Sequence, residues 1–369
     1  MSAKKVIGDI LKIAGISING TKPWDIQIYN DQLYTRVLSG GSLALGESYM
    51  DGWWDASSLD SFFTKILEAE LDKKAEIKKI FWNVLSAKIF NLQKEKRAYE
   101  VGEKHYDLGN ELYQHMLDKR MVYSCGYWKN AKNLLQAQEA KLDLICKKLQ
   151  LRPGMKILDI GCGWGSFAKF AAEKYKVNVV GITISKEQAK FAKEVCKNFP
   201  VEIRLADYRK LTGTYDRIVS IGMFEHVGYK NYRTYMSVAK RCLKEDGLFL
   251  LHTIGGNKSV HTTDPWIHKY IFPNSMLPSA KQITTAAEEF FVLEDWHNFG
   301  EDYDKTLLAW YENFERNYKY IKNAKYDERF YRMWRYYLLS CAGSFRARRN
   351  QVWQIIFSIK GIKGFQSIR

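Results

Sequence analysis

The sequence predicts an α/β protein: a mostly parallel sheet with helices on both faces, a small N-terminal α+β domain and a helical linker between them. Three observations predict this. From about residue 100, short apolar runs alternate with amphipathic stretches, the signature of strand–helix–strand units. One of those runs, Lys156 to Ile160, feeds into a turn with glycine at every second position. A lysine-rich stretch separates this part from about 70 residues of mixed helical and strand periodicity.

Taken in order, Val6, Ile7, Ile10, Leu11 and Ile13 recur with helical spacing, and Gly15 suits a C-cap. Asp25 to Asn30 alternates polar and apolar like a strand. Gly40 to Trp54, rich in glycine and aromatics, reads as turns and short elements, and Leu59 to Leu67 returns to helix. These make an N-terminal domain over 1–70. In the linker, 71–100, Lys73, Lys74, Lys78, Lys79, Lys88, Lys94 and Lys96 interleave with Ile77, Ile80, Phe81, Trp82, Val84, Leu85, Ile89 and Phe90. That pattern suits an amphipathic helix on a membrane surface, or a connector packing its apolar face on a neighbour. The remainder, 101–369, reads as the second and larger domain. Strands are expected at 156–160, 177–182, 201–205, 215–221 and 248–253, and helices at 166–174, 186–197 and 232–243. A largely helical, aromatic and basic tail follows from about Lys281 to Arg369.

Charge narrows the partners. Fifty-seven Lys and Arg against 41 acids leave +16 over 369 residues. Such an excess favours nucleic acid, an anionic membrane face or phosphorylated substrates. With 46% hydrophobic residues there is enough apolar surface to bury a core, which excludes global disorder. The six cysteines are scattered, with no C-x-x-C pair and no zinc-ligand spacing. Reduced thiols in a cytosolic protein are expected, and no metal site. The N-terminus lacks a signal-peptide core, and no apolar run reaches spanning length. Contact with a membrane is therefore expected from the surface.

The decisive local feature is LDIGCGWGSF, Leu158 to Phe167. A strand ends at Ile160; Gly161, Gly163 and Gly165 follow, and a helix begins. Glycine permits positive φ and close backbone approach, and the helix N-terminus offers unpaired N–H groups. The spacing is not the dinucleotide pattern, and no acid stands at the end of the next strand, where Thr183 and Ser185 are found. Gly165 also fits a role in helix–strand packing alone, and Asp207 fits a turn cap.

This turn resembles the S-adenosylmethionine (SAM) loop of class I methyltransferases. With HYDLGNELY (His105 to Tyr113), YSCGYW (Tyr123 to Trp128), GITISKEQ (Gly181 to Gln188), MFEHVG (Met223 to Gly228), HTIG (His252 to Gly255) and CAGSFRAR (Cys341 to Arg348), the sequence is similar to the cyclopropane-fatty-acyl-phospholipid synthase family. The segments PWDIQIYN and GESYMDGWW resemble the extra N-terminal domain of its phospholipid-acting members. The resemblance implies a Rossmann-like class I fold. It also implies transfer of a methylene from SAM to the cis double bond of phospholipid acyl groups, through methyl transfer, a carbocation and deprotonation by bound bicarbonate.

It further implies residues. Gly161 and Gly163 would lie against the amino-acid part of SAM, with Tyr123 and Ser124 closing over it. Thr183 and Gln188 would replace the missing ribose acid, and Ala206 and Asp207 would border the adenine. Cys125, Glu225, His252 and Tyr303, with backbone N–H groups near Ile254, would cage the bicarbonate. Cys341 belongs to a family motif treated as an active-site thiol. The chemistry requires no sulfur nucleophile, so Cys341 reads better as pocket lining. The family also implies a homodimer and a cytoplasmic enzyme on the inner membrane face.

The charge is uneven. Beyond Glu328 there is no acid, while nine Lys and Arg follow. Arg346, Arg348 and Arg349 would suit lipid phosphates, with Trp334, Tyr336, Tyr337 and Trp353 at headgroup level or lining an acyl channel; the alternative is a solvated basic helix with its aromatics in the core. Two other functions fit parts of the sequence. One is a methyltransferase that alkylates a carbon of the acyl group and leaves a branch. The other is a nucleic-acid-binding protein of methyltransferase fold, which has charge alone in its favour and no recognisable motif.

Overall fold

A computed structural model describes residues 2–70, 109–323 and 325–369. The lysine-rich linker and the start of the HYDLGNELY motif lie outside them. The protein divides into two compact units, 1–112 with 263–273 and 310–349, and 113–262 with 274–309 and 350–369.

The first unit is built on helices. α1 (Ala3–Ile13) is capped by Ser2, whose side chain accepts from Lys5 N–H, and buries Val6 and Leu11. α2 (Gln32–Met50) absorbs most of the stretch expected as turns. Its break is confined to Gly41, at φ 56° and ψ −138°, which is why glycine stands there. The expected strand at 25–30 shortens to β1 (Gln27–Ile28), paired antiparallel with β2 (Trp54–Asp55). α3 (Leu59–Glu68) completes the N-terminal part.

The first unit also contains the tail helix α12 (Glu328–Arg346), which packs on α3 and α2. Trp334, Tyr336 and Tyr337 are buried, and Tyr336 meets Trp54 and Phe63 edge to face and Tyr49 and Trp266 at a tilt. Gly343 lets the two helices close up, because a Cβ there would lie 2.6 Å from Asp60 O. The arginines are engaged with acids of the N-terminal segment. Arg329 pairs with Asp51, Arg332 and Arg335 with Asp55, Arg346 with Asp60 and Arg349 with Glu70. Of the two sequence readings, the core one holds for these aromatics. Arg346 and Arg349 serve as internal ion pairs rather than lipid contacts.

The second unit opens with the end of α4 (Gly109–Met116) and with α5 (Leu134–Lys148), capped by Asn133. There follow β3 (Lys156–Ile160), α6 (Ser166–Tyr175), β4 (Asn178–Thr183), α7 (Lys186–Cys196), β5 (Val201–Leu205), β6 (Tyr215–Ile221), α8 (Tyr232–Cys242) and β7 (Leu243–Gly256). A short helix α9 (Pro265–Tyr270) belongs to the first unit, α10 (Ala280–Ala287) and β8 (Val292–Asn298) to the second. α11 (Glu301–Ile321) precedes α12, and β9 (Asn350–Ser358) ends the sheet.

The strands form one seven-stranded sheet in the order β5-β4-β3-β6-β7-β9-β8. β3 to β7 are parallel, whereas β9 runs antiparallel to β7 and β8. β7 is longer than the predicted 248–253. β8 and β9 correct the expectation of a helical tail. β8 (VLEDWHN) is mixed in polarity and the short apolar run of β9 lacks a strong period, so the pairing partner decides their form. Trp353, expected at headgroup level, is buried in β9 opposite Thr253. The core fills both faces: Leu158, Ile160, Ile218, Phe249 and Tyr235 on one, Ile157, Phe170, Val179, Val219 and Leu250 on the other.

Asp55 is the test of the α12 clamp. It accepts from Arg332 at 3.1 Å and Arg335 at 2.9 Å, both largely shielded from solvent. Asp55→Ala is expected to destabilise the first unit by about 2 kcal/mol, since it leaves two shielded guanidinium groups without their counter-charge. A urea unfolding midpoint unchanged from the native protein would refute this.

Candidate active site

Parallel register determines where the functional side chains emerge. Ile160 stands opposite Ile182, and Ile182 opposite Arg204. Asp159 stands opposite Val219, and Ile221 opposite His252. The carboxyl ends of β3, β4, β5 and β6 therefore reach one edge of the sheet, level with His252 of β7. Gly161, Thr183, Ala206, Gly222 and His252 lie along that edge. Ligands of open α/β sheets bind there.

On the cofactor half, Gly161, Gly163 and Gly165 have φ of 89°, 54° and 84°, values that side chains other than glycine rarely adopt. The Gly161 and Cys162 N–H groups both donate to Ile182 O, which fastens the turn to β4. A Cβ at Gly163 would meet nothing within 4 Å, so this glycine faces open space that a ligand can fill. Gly165 is different: a Cβ there would lie 3.0 Å from Cys196 Sγ and 3.1 Å from Ala192 Cβ, so it serves the packing of α6 on α7. Thr183 Oγ1 donates to Gln188 Oε1 at 3.0 Å, because Ser185 caps α7 and turns Gln188 back towards the strand end. Ala206 N–H donates to Thr183 O. Asp207 caps the turn 208–210, accepting from Arg209 N–H at 2.9 Å and pairing with the Arg209 guanidinium at 2.6 Å. Its carboxylate is thus already engaged, and those bonds hold its pKa below the usual value.

Four residues of this half do not stand out in the sequence. Ile184 is 79% exposed and Leu205 49%, beside Thr183. Their one signal is an apolar residue at or just beyond a strand end. Lys141 and Gln138 of α5 carry no such signal. Gln138 Nε2 donates to Ser124 O at 2.8 Å, and the fully buried Lys141 Nζ donates to Ser124 Oγ at 3.0 Å. One helix therefore holds the Tyr123–Cys125 segment from beneath. Burial lowers the Lys141 pKa to about 8, although Asp118, Cys125 and Asp159 oppose the shift. Burial likewise raises Asp159 to about 7, with Lys141 opposing; neither Asp159 oxygen has a hydrogen-bond partner among the described residues.

On the other half, Glu225 stands in a short turn, 224–226, just past β6. It is buried, and its Oε1 accepts from Ile254 N–H at 2.7 Å. That N–H, expected to face a bound acid, is donated to the carboxylate instead. Oε2 has no hydrogen-bond partner among the described residues. Desolvation raises the Glu225 pKa to about 7, against the Ile254 N–H, which favours the charged form. His252 is buried on β7. Its Nδ1 lies 3.4 Å from Gln354 Nε2, and burial with Lys141 and Lys148 drives its pKa well below the ordinary value. The imidazole is neutral at pH 7. Cys125 is fully buried; burial and then Asp302 push its thiol up, so it remains protonated. Tyr303, on α11, is buried in the same unit.

Cys341 belongs to the first unit. Burial and then Asp264 raise its thiol to about 12, the opposite of what a thiolate nucleophile needs. Among the described residues no group of His, Cys, Asp and Glu is arranged to hold a metal ion.

Two outcomes follow from this geometry. Lys141→Met removes a charge-assisted bond to Ser124 and is expected to weaken S-adenosylhomocysteine binding roughly tenfold by calorimetry; unchanged affinity would mean that Ser124 is held without it. The second concerns pH. Glu225 has a pKa of about 7 in the folded protein, above its ordinary value of 4.5. The folded state therefore binds more protons between these values, and Glu225 costs stability as pH rises through that window. Its full cost is on the order of 3 kcal/mol above pH 7. His252 works in the opposite direction, so the comparison must be between variants. Glu225→Gln is expected to gain stability relative to the native protein from pH 5 to pH 8. Parallel urea midpoints at the two pH values would refute it.

A family model described as mycolic acid cyclopropane synthetase matches residues 93–355. The protein is 56% identical over 355 residues to the cyclopropane-fatty-acyl-phospholipid synthase of Escherichia coli (strain K12), a match spanning 96% of this sequence and 93% of that one. Among solved structures it is similar to the cyclopropane synthase MmaA2 from Mycobacterium tuberculosis, with a TM-score of 0.64 and 32% identity, over 73% of this protein and 99% of that one. It is also similar to the mycolic acid cyclopropane synthase CmaA1 complexed with SAH and CTAB, with a TM-score of 0.62 and 34% identity, over 71% of this protein and 98% of that one. With its glycine turn, its sheet order and a match that runs nearly end to end, the protein belongs to the cyclopropane synthetase family of class I SAM-dependent methyltransferases.

Proposed function

We propose that this protein transfers a methylene group from SAM to the cis double bond of unsaturated acyl groups in membrane phospholipids, forming cyclopropane fatty acids. The observation that carries the proposal is Glu225: a buried carboxylate at the ligand edge of the sheet, one oxygen held by Ile254 N–H and the other without a hydrogen-bond partner among the described residues. The alkene takes the sulfonium methyl, and the resulting cation closes to a ring by losing a proton from that methyl. A proton acceptor close by and a dry surround are required.

Bicarbonate fits this place, because a small acid that donates would satisfy Glu225 Oε2. When bound, it would supply the base for that proton. Cys125, Glu225, His252 and Tyr303 would hold it. Half-protonated Glu225 is suited to passing a proton on at neutral pH, and neutral His252 offers a hydrogen bond beside it. Cys125 contributes a protonated thiol. Gly161, Gly163, Tyr123 and Ser124 would hold the amino-acid part of SAM, with Thr183 and Gln188 at the ribose. Ala206, Asp207, Ile184 and Leu205 would border the adenine. Cys341 has no nucleophilic role in this reading. The reading includes a cytoplasmic homodimer that meets the inner membrane face peripherally. Among the described residues no helix is long and apolar enough to cross a membrane.

The test is incubation with methyl-labelled SAM and vesicles of unsaturated phospholipid, followed by mass spectrometry of the fatty esters. A ring is expected; a methyl or methylidene branch, or no incorporation by folded protein, would refute it. Glu225→Gln is expected to lower turnover by at least ~100-fold, the range of lost general acid–base catalysis, with S-adenosylhomocysteine affinity within about threefold. Equal loss of both would place Glu225 in cofactor binding.

A further inference from the structure

Two loops leave the ligand edge of the sheet beside Glu225. One runs from Glu225 to Asn231 after β6, the other from Gly256 to Thr262 after β7. The bond between Glu225 Oε1 and Ile254 N–H ties their bases together. At their tips the rings of Tyr229 and His261 meet with centroids 4.3 Å apart. Tyr229 and Val260 are each 40% exposed, and Lys230, Lys258 and His261 are exposed around them. The sequence has no acid from His226 to Lys244 and none from Gly247 to Thr262. Arg233, in the first turn of α8, pairs with Glu289.

The second loop is held in shape. Gly256 N–H donates to Pro278 O, Ser259 Oγ bonds Ser279 Oγ at 2.7 Å, and Gln282 Nε2 donates to Val260 O at 2.9 Å. The N-terminus of α10 thus presents Val260 outward. An apolar side chain held in water by three bonds, next to a tyrosine and between lysines, matches the apolar, aromatic and cationic layers of a lipid interface. The charge complements anionic phospholipid, and both loops start at the candidate active site, where Glu225 meets Ile254 N–H.

We propose that the paired tips, Tyr229–Lys230 and Lys258–His261, are the surface by which the second unit docks on an anionic phospholipid bilayer. Tyr229 and Val260 enter the headgroup layer, and Lys230 and Lys258 meet its phosphates. This rests on the reading of phospholipid as substrate, and it places docking beside Glu225 rather than on the arginine tail.

The experiment uses the full-length protein with vesicles of phosphatidylethanolamine and phosphatidylglycerol, and a phosphatidylcholine control. Two variants are compared with the native protein: Lys230→Glu with Lys258→Glu, and Tyr229→Ser with Val260→Ser. Native protein is expected to sediment with the anionic vesicles. The charge variant is expected to bind at least ~20-fold more weakly, about fivefold per lysine removed near an anionic surface. The apolar variant is expected to lose most binding to the anionic vesicles. S-adenosylhomocysteine affinity and activity on detergent-dispersed unsaturated phospholipid are expected to stay native, which separates docking from chemistry. Native-like vesicle binding by both variants would overturn the assignment while leaving the substrate reading intact. A native protein that binds neither vesicle type would overturn both. Variants that change only the oligomeric state would overturn docking and make the tips a contact between copies.

Discussion

The in-register parallel pairing of β3 with β4 and β6 is the constraint on which the site depends. A strand shifted by one residue would turn its apolar set from one layer of the core to the other. Register therefore cannot drift, and the ends of five strands are held to one edge. Because Ile160, Ile182 and Arg204 lie level, the glycine turn, Thr183 and Ala206 are neighbours. Because Ile221 and His252 lie level, Gly222 N–H donates to His252 O and Glu225 comes within reach of Ile254 N–H. The half of the edge at the glycine turn and the half at Glu225 are consequences of one ladder.

Burial sets the chemistry of those groups more than charge does. Desolvation is the largest influence on Glu225, Asp159, Lys141, His252 and Cys125, and in each case it favours the neutral form. A site of neutral or half-charged groups suits the proposed reaction, in which a cationic intermediate would lose a proton without capture by water. The cost falls on stability, and the Glu225 carboxylate is one place where it can be measured.

The excess of positive charge is distributed differently from its order along the sequence. The acid-free tail beyond Glu328 looks like a basic patch when read linearly. In the first unit its arginines instead meet Asp51, Asp55, Asp60 and Glu70, which lie 277 to 286 residues earlier. An ion pair of such separation leaves no local pattern. Lys141 and Gln138 show the same limit: they are ordinary helix residues in the sequence, and only packing brings them beneath Ser124.

The sequence by itself determined the strand–helix alternation from 156 to 253, because local period and buried apolar runs suffice for it, and it determined the glycine turn, because positive φ leaves little choice of residue. It also brought Thr183 and Gln188 into one short capped segment, close enough in sequence to meet. Only tertiary structure decided that 292–298 and 350–358 are strands, since a polar-rich segment such as VLEDWHN or a short run such as VWQIIF takes its form from its partner. Likewise only tertiary structure decided that Trp353, Tyr336 and Tyr337 are core, and that the Ile254 N–H belongs to Glu225. Each depends on contacts between residues far apart in sequence, whose free energy exists only once the sheet and the helical unit have formed.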